Sequence, residues 1–152
     1  MKIAVCVKQV PDSWAEKKLN ASTKLIDRES VDAVLNDLDE YAVESALQIV
    51  EANGGAEAGH SVTLISMGPE RATEALRKGL SMGADDAVLV SDGALAGSDA
   101  LATSLILAKV IQRINPDLIL CGTESTDARM SVIPSMLSER LELPQLSFAG
   151  EV

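Results

Sequence analysis

The sequence predicts an α/β domain with a doubly wound, mostly parallel sheet and helices on both faces. Three observations lead there. Strand-like and helix-like segments alternate along the chain, as a largely parallel sheet requires. The strand-like runs are β-branched and apolar on both sides of their alternation, which suits strands buried on both faces. Aromatic residues make up only 2% of the 152 residues against 47% apolar, so the core must be built from Val, Ile, Leu, Ala and Met beneath Ala-rich helices.

Each element has its own signal. Lys2 to Lys8 is a short β-branched run ending at the turn Pro11-Asp12-Ser13. Ser13 to Leu35 is polar and weakly patterned, with a short strand expected at Lys24 to Asp27. From Asp39 to Ala52, the residues Ala42, Val43, Ala46, Leu47 and Val50 keep helical spacing up to Gly54-Gly55. His60 to Ser66 reads as the second main strand. Pro69 then suits a first helical turn, with Ala72, Ala75, Leu76 and Leu80 on one face and Gly83 as the stop. Ala87 to Val90 is the third strand and Gly93 to Ser98 a loop. Ser98 or Asp99 can cap a helix running to about Asn115. Leu118 to Cys121 is the fourth strand, Ser131 to Leu141 a helix, and Gln145 to Phe148 the start of a fifth strand. With a strand only beginning near Val152, the chain reads as one α/β domain over residues 1–152, truncated before its end.

Bulk properties exclude several function classes. The formal charge is −10, and no Lys/Arg stripe with interleaved aromatics offsets it, so a nucleic-acid backbone would be repelled. A nucleotide remains possible, because N–H groups at a helix start hold phosphate locally. Cys6 and Cys121 lie in strand-like runs without CxxC spacing, which points to a reducing, cytoplasmic setting. No charged segment and separate apolar run mark a secretory signal, and no apolar stretch reaches the ~20 residues that span a bilayer.

Catalytic constellations are absent. The lone histidine, His60, has no second His or Cys at metal spacing and reads as a structural residue. No HExxH, GxSxG, P-loop or GxGxxG pattern occurs, and Gly79-x-x-x-Gly83 closes a helix. Attention therefore moves to the carboxyl ends of the strands, where open α/β sheets bind ligands. Three ends carry small or polar residues: Cys6-Val7-Lys8, Ser66-Met67-Gly68-Pro69, and Gly122 to Asp127. The last of these, with Thr123, Ser125, Thr126 and Ser131, offers hydroxyls beside the free amides of a helix start. Ordinary capping loops explain the same residues, so spacing alone leaves both readings open. Among smaller features, Trp14 reads as covering a core edge, Lys17-Lys18 beside Glu16 as a solvated turn, Cys121 as a buried small hydrophobe and Met82 as core filler.

A resemblance tips the balance. Val5-Cys6-Val7-Lys8-Gln9-Val10-Pro11-Asp12 resembles the "VKxVPD" start of electron-transfer flavoprotein beta subunits, and Asn36-Asp37-Leu38-Asp39-Glu40-Tyr41-Ala42-Val43-Glu44 their "NPxDExAVE" segment. Gly68-Pro69, Ala75-Leu76-Arg77 and Ser81-Met82-Gly83-Ala84-Asp85 are similar to "GP…LRxALxMGAD". Asp117 to Gly122, then Asp127, and Leu143-Pro144-Gln145 follow in order, while Ser125-Thr126-Asp127 and Val132-Ile133-Pro134 resemble actinobacterial members.

The resemblance implies a Rossmann-like fold of the adenine nucleotide alpha hydrolase-like kind. It also implies a non-catalytic subunit that binds AMP structurally, paired with an alpha subunit carrying most of the FAD contacts. Electrons would come from acyl-CoA dehydrogenases and pass to a membrane quinone reductase. Carried over by position, the AMP site would comprise Cys6; Asn36, Asp37, Leu38 and Asp39 along adenine and ribose; Met67; and Gly122, Thr123, Glu124, Ser125, Thr126, Asp127, Ala128, Arg129, Met130, Ser131, Val132 and Ile133. Asp127 would accept from a ribose hydroxyl, and Ser131 to Ile133 would present amides to phosphate. Two departures stand out. The family's "DDDxNQT" reads Asp127-Ala128-Arg129-Met130-Ser131-Val132-Ile133, which leaves phosphate to backbone donors, the Ser131 hydroxyl and Arg129. Asp37 replaces a proline, which should loosen the turn before its helix. A stand-alone stress-protein-like nucleotide module and a bifurcating subunit with a second FAD are the alternatives.

Overall fold

Ile3, Val5, Val62 and Leu64 point to one side of their strands, while Ala4 and Ile65 point to the other, and both sets are buried. Strands covered on both faces need helices on both faces. The computed structural model, which describes residues 1–150, supplies them. Four strands, β1 (Lys2–Cys6), β4 (Ser61–Met67), β5 (Asp86–Val90) and β6 (Leu118–Cys121), form a parallel sheet in the order β5-β4-β1-β6. On one face lie α1 (Asp37–Ala52) and α2 (Thr73–Met82), whose Val43, Ala46, Val50, Ala75 and Leu76 meet Ile3, Val5, Val62 and Leu64. On the other lie α3 (Ala100–Ile114) and α4 (Ile133–Leu141), whose Leu107, Ala108, Ile111 and Leu137 meet Ala4 and Ile65. The doubly wound α/β expectation holds.

Several boundaries differ from expectation, each for a physical reason. The first strand stops at Cys6 instead of reaching Lys8. Beyond it, β2 (Gln9–Pro11) pairs antiparallel with β3 (Ala33–Leu35) in a separate two-stranded sheet, with Gln9 opposite Leu35. The expected strand at Lys24 to Asp27 reduces to one bridge between Leu19 and Ile26 inside a polar arm. The expected strand at Gln145 to Phe148 does not form. Those residues pair with no neighbour, and Leu146 and Phe148 stay exposed. Helix α1 begins at Asp37, two residues early, so the turn before it is not loosened. The Asn36 carbonyl accepts from the amides of Asp39 and Glu40, and the Asn36 amide donates to the Lys8 carbonyl at 2.9 Å.

Smaller readings also resolve. Trp14 is 95% exposed and covers no core edge, because its segment leaves the body of the molecule. Cys121 is half-buried rather than buried, since β6 is the sheet's edge strand. Met82 packs against the α1/α2 cluster, and Lys18 pairs with Glu16 at 3.0 Å on the surface. No helix among the described residues is long and apolar enough to cross a membrane.

Candidate functional site

The strand order places β1 between β4 and β6, so the connection from β1 to β4 runs to one side of β1 and the connection from β5 to β6 crosses to the other. That reversal marks the carboxyl ends of β1 and β6 as the switch point, the crevice position at which open α/β sheets take ligands. Cys6 and Cys121, the last residues of those strands, stand side by side in register. Burial and the adjacent Cys121 thiol, which is the larger influence, push the Cys6 thiol well above its usual pKa.

Three buried polar side chains build the crevice. Asn36, fully buried at the cap of α1, donates from Nδ2 to the Glu124 carbonyl at 2.9 Å and accepts at Oδ1 from the Thr126 amide at 3.0 Å. A carboxamide can satisfy both a donor and an acceptor on one peptide segment, which is why it can pin the 122–127 loop. Asp39, one turn into α1, accepts from the Lys8 amide at 2.8 Å. Burial raises its pKa to about 7, against the opposing hydrogen bonds from Asn36 and Lys8. Gly122 faces Asp39 so closely that a Cβ there would lie 2.8 Å from the Leu38 carbonyl oxygen. Only glycine lets β6 run into the loop against α1.

Asp127 is the third. Its side chain is 1% exposed and lies between two cations: Lys8 Nζ is 2.9 Å from Oδ1, and Arg28 Nη2 is 2.6 Å from Oδ2. Lys8 Nζ also lies 3.3 Å from the Ser125 hydroxyl. Burial pushes the Asp127 pKa up, yet hydrogen bonds from Lys8 and Ser125, the charge of Lys8 and the contact with the Arg28 guanidinium win and hold it below the usual carboxylate range. The Arg28 contact is a charge contact off the hydrogen-bonding direction, so Oδ2 is buried without an aligned donor. Two cations thus converge on one carboxylate, with the carboxylates of Asp39 and Glu124 close by.

From Asp127 the chain reaches α4 through unusual backbone. Arg129 and Ser131 take left-handed φ values of 50° and 53°, while Val132 returns to φ −105° and ψ −21°. Alternation between left- and right-handed residues turns successive N–H groups into one concavity that suits an anion. Among the described residues, the amides of Met130, Ser131, Val132 and Ile133 have no acceptor. Helix α4 has no side-chain cap, and Pro134 in its first turn has no N–H to lose. The helix starts at Ile133, within the Ser131 to Ile133 start that Pro134 suggests, and the Ser131 hydroxyl turns to Glu124 at 2.9 Å, which leaves the amides as donors.

The residues expected at the site therefore divide into groups. Cys6, Met67 and Ile133 share the α3/α4 face. Asn36, Leu38, Asp39, Gly122, Glu124, Ser125, Thr126 and Asp127 gather at the β1/β6 crevice. Asp37, Thr123, Ala128, Arg129 and Met130 are exposed around it. Sequence reasoning named Lys8 only as the end of a strand-like run and missed Arg28. Lys8 had a signal, since a lysine ending a buried strand is out of place unless it has a partner, but Arg28 lies in a polar stretch with no pattern. His60 sits 2.6 Å from the Met1 amine through Nδ1, in keeping with a structural role. No group of metal-ligating side chains occurs among the described residues.

The electron transfer flavoprotein domain family matches residues 23–152. The electron transfer flavoprotein subunit beta of Mycobacterium tuberculosis is 46% identical over 151 residues, covering 99% of this chain and 57% of its own length. This chain belongs to the electron transfer flavoprotein domain family. The subunit beta of Mycobacterium leprae is 48% identical over 146 residues, 95% of this chain and 55% of its own. Protein FixA of Azotobacter vinelandii is 41% identical over 156 aligned positions, 100% of this chain and 53% of its own. The chain thus spans a little over half the length of the family members it matches. Except for Cys6 and Lys8 at the end of β1, the site residues just described lie inside the region the family matches.

Proposed function

We propose that this chain is the nucleotide-binding part of an electron-transfer flavoprotein beta subunit, holding AMP as a structural ligand. Its partner would be an alpha subunit that carries most of the FAD contacts. The observation that carries the reading is the run of four amides, Met130 to Ile133, without acceptors at the start of α4 beside the β1/β6 crevice. A phosphate is the group such a concavity suits. The Lys8 and Arg28 cations stand at the same end of the sheet. Asp127 Oδ2, buried without an aligned donor, has capacity for a ribose hydroxyl. AMP supplies no chemistry of its own here: its bonds to the 122–133 segment would fix that loop.

In this reading the chain has no catalytic residue. Electrons enter the heterodimer from acyl-CoA dehydrogenases and leave to a quinone reductase through the alpha subunit's flavin. The protein works in the cytoplasm, and only the quinone reductase touches the membrane. The test is to co-produce the full-length chain with its alpha subunit and identify nucleotides released on denaturation. One FAD and one AMP per heterodimer is the expected result. Two FAD molecules would replace the reading with a bifurcating subunit. A chain that binds ATP without an alpha subunit would replace it with a stand-alone nucleotide module, and no nucleotide at all would remove it.

A further inference from the structure

Residues 12–32 leave the body of the molecule and return to it. The Asp12 amide meets the Asp32 carbonyl at 2.9 Å, closing the base, and β2 and β3 continue the pairing inward. Further out, the Asp27 amide donates to the Lys18 carbonyl and the Asn20 amide to the Leu25 carbonyl, both at 2.8 Å, so the segment is a hairpin-like arm. None of its residues is buried, and Trp14, Leu19 and Leu25 are all exposed. An arm with no apolar anchor keeps its position only through polar attachments and belongs to the low-stability end of a fold.

Those attachments converge on the candidate site. Arg28 places its guanidinium on Asp127, and Lys17 Nζ reaches the Thr126 carbonyl at 3.3 Å. On the opposite side, Arg71 Nη1 donates to the Arg28 carbonyl at 2.9 Å, and the Arg71 carbonyl in turn accepts from Gln9 Nε2 at 2.9 Å. Arg28 is therefore held from both ends, by its backbone toward α2 and by its side chain at the 122–127 loop. The carboxylate it covers is the one expected to face the ribose.

We infer that Arg28 is a positioning residue of the nucleotide site, latching the 12–32 arm across the crevice by its ion pair with Asp127. The inference rests on the AMP reading for the identity of the ligand, but the latch itself is a property of the chain. Lys8 holds the opposite oxygen of Asp127 from the sheet. The carboxylate is thereby the joint between three parts that are far apart in sequence: the end of β1, the arm, and the loop after β6. With the latch closed, the guanidinium lies over Oδ2, so a ribose bonded there would be retained until Arg28 moves aside. Nucleotide entry and release then depend on the arm.

The experiment uses the full-length chain in its heterodimer, with Arg28→Gln and Arg28→Lys variants. Two readouts are taken: amide hydrogen exchange of segments 12–32 and 122–133, and release of radiolabelled AMP into excess unlabelled AMP. Arg28 is exposed outside its contact, so both variants should fold, and thermal midpoints check this. Arg28→Gln is expected to raise exchange in both segments by about tenfold and to speed AMP release by a similar factor, with Arg28→Lys restoring part of each. Unchanged exchange in both segments would overturn the latch, whether or not AMP binds. Faster exchange with no AMP in the parent protein would leave the latch standing and remove the AMP reading. Bound AMP released at the parent rate despite faster exchange would show that the arm does not control the site, which also overturns the inference.

Discussion

Asp39 and Asp127 lie in one crevice, yet the protein treats their charges in opposite ways. Asp127 has two cations and keeps its charge, so its pKa is lowered. Asp39 has mainly an amide donor and burial, so its pKa rises to about 7. The consequences for stability have opposite signs. A folded-state pKa above the unfolded value means the folded chain holds a proton that the unfolded chain has released. The stability contributed by Asp39 is therefore full below the ordinary carboxylate pKa and is lost as pH rises through about 7. For Asp127 it is present above that ordinary pKa and is lost on acidification below it. An Asp39→Asn variant keeps an acceptor for the Lys8 amide but cannot ionise. Relative to the parent, it is expected to gain stability between pH 4 and pH 7, on the order of 2–3 kcal/mol across that window. Chemical denaturation at pH 4, 5.5 and 7 measures this. A constant difference between the two proteins over the range would mean that Asp39 ionises freely.

The helices show which sequence signals translate directly into structure. Asp99 caps α3 as its position suggests, its carboxylate accepting from the Ala102 amide at 2.8 Å. The helix ends at Asn115 in left-handed conformation, a role asparagine tolerates. Asp99→Ala is expected to lower stability by about 1 kcal/mol, because the cap is exposed and water replaces part of the bond. A loss below about 0.3 kcal/mol in urea denaturation would show that the cap contributes nothing net. Strands were less legible at their ends. A run of alternating residues continues through Val7 and Lys8, but the sheet ends at Cys6, where the chain turns to pair β2 with β3. Period-two patterning cannot distinguish the last residue of one sheet from the first of the next.

Over the whole chain, the formal charge of −10 sets a background of repulsion, against which Lys8 and Arg28 pair with Asp127. Salt acts on both. Screening shortens the Debye length to about 10 Å at 0.1 M, which relieves repulsion between exposed carboxylates but weakens close pairs on the buried Asp127 carboxylate less. Raising ionic strength from about 0.02 M to 0.2 M is expected to raise the thermal midpoint by a few degrees. A falling midpoint would place the balance with the attractive pairs instead.

Composition and period were enough to fix the doubly wound α/β class, the four parallel strands within a residue or two, and the four helices that cover them. These are local properties: a β-branched run is buried on both faces wherever it lies, and a helical stripe needs only its neighbours at i+3 and i+4. The loop from Gly122 to Asp127 was also visible, because Gly, Ser and Thr before a helix mark it. The partner of each buried charge was not. Lys8 and Asp127 are 119 residues apart, Asn36 and Thr126 are 90 apart, and Arg28 sits in an arm without any periodic pattern. Such contacts depend on strand order and on where an exposed arm comes to rest, and tertiary packing alone decides both.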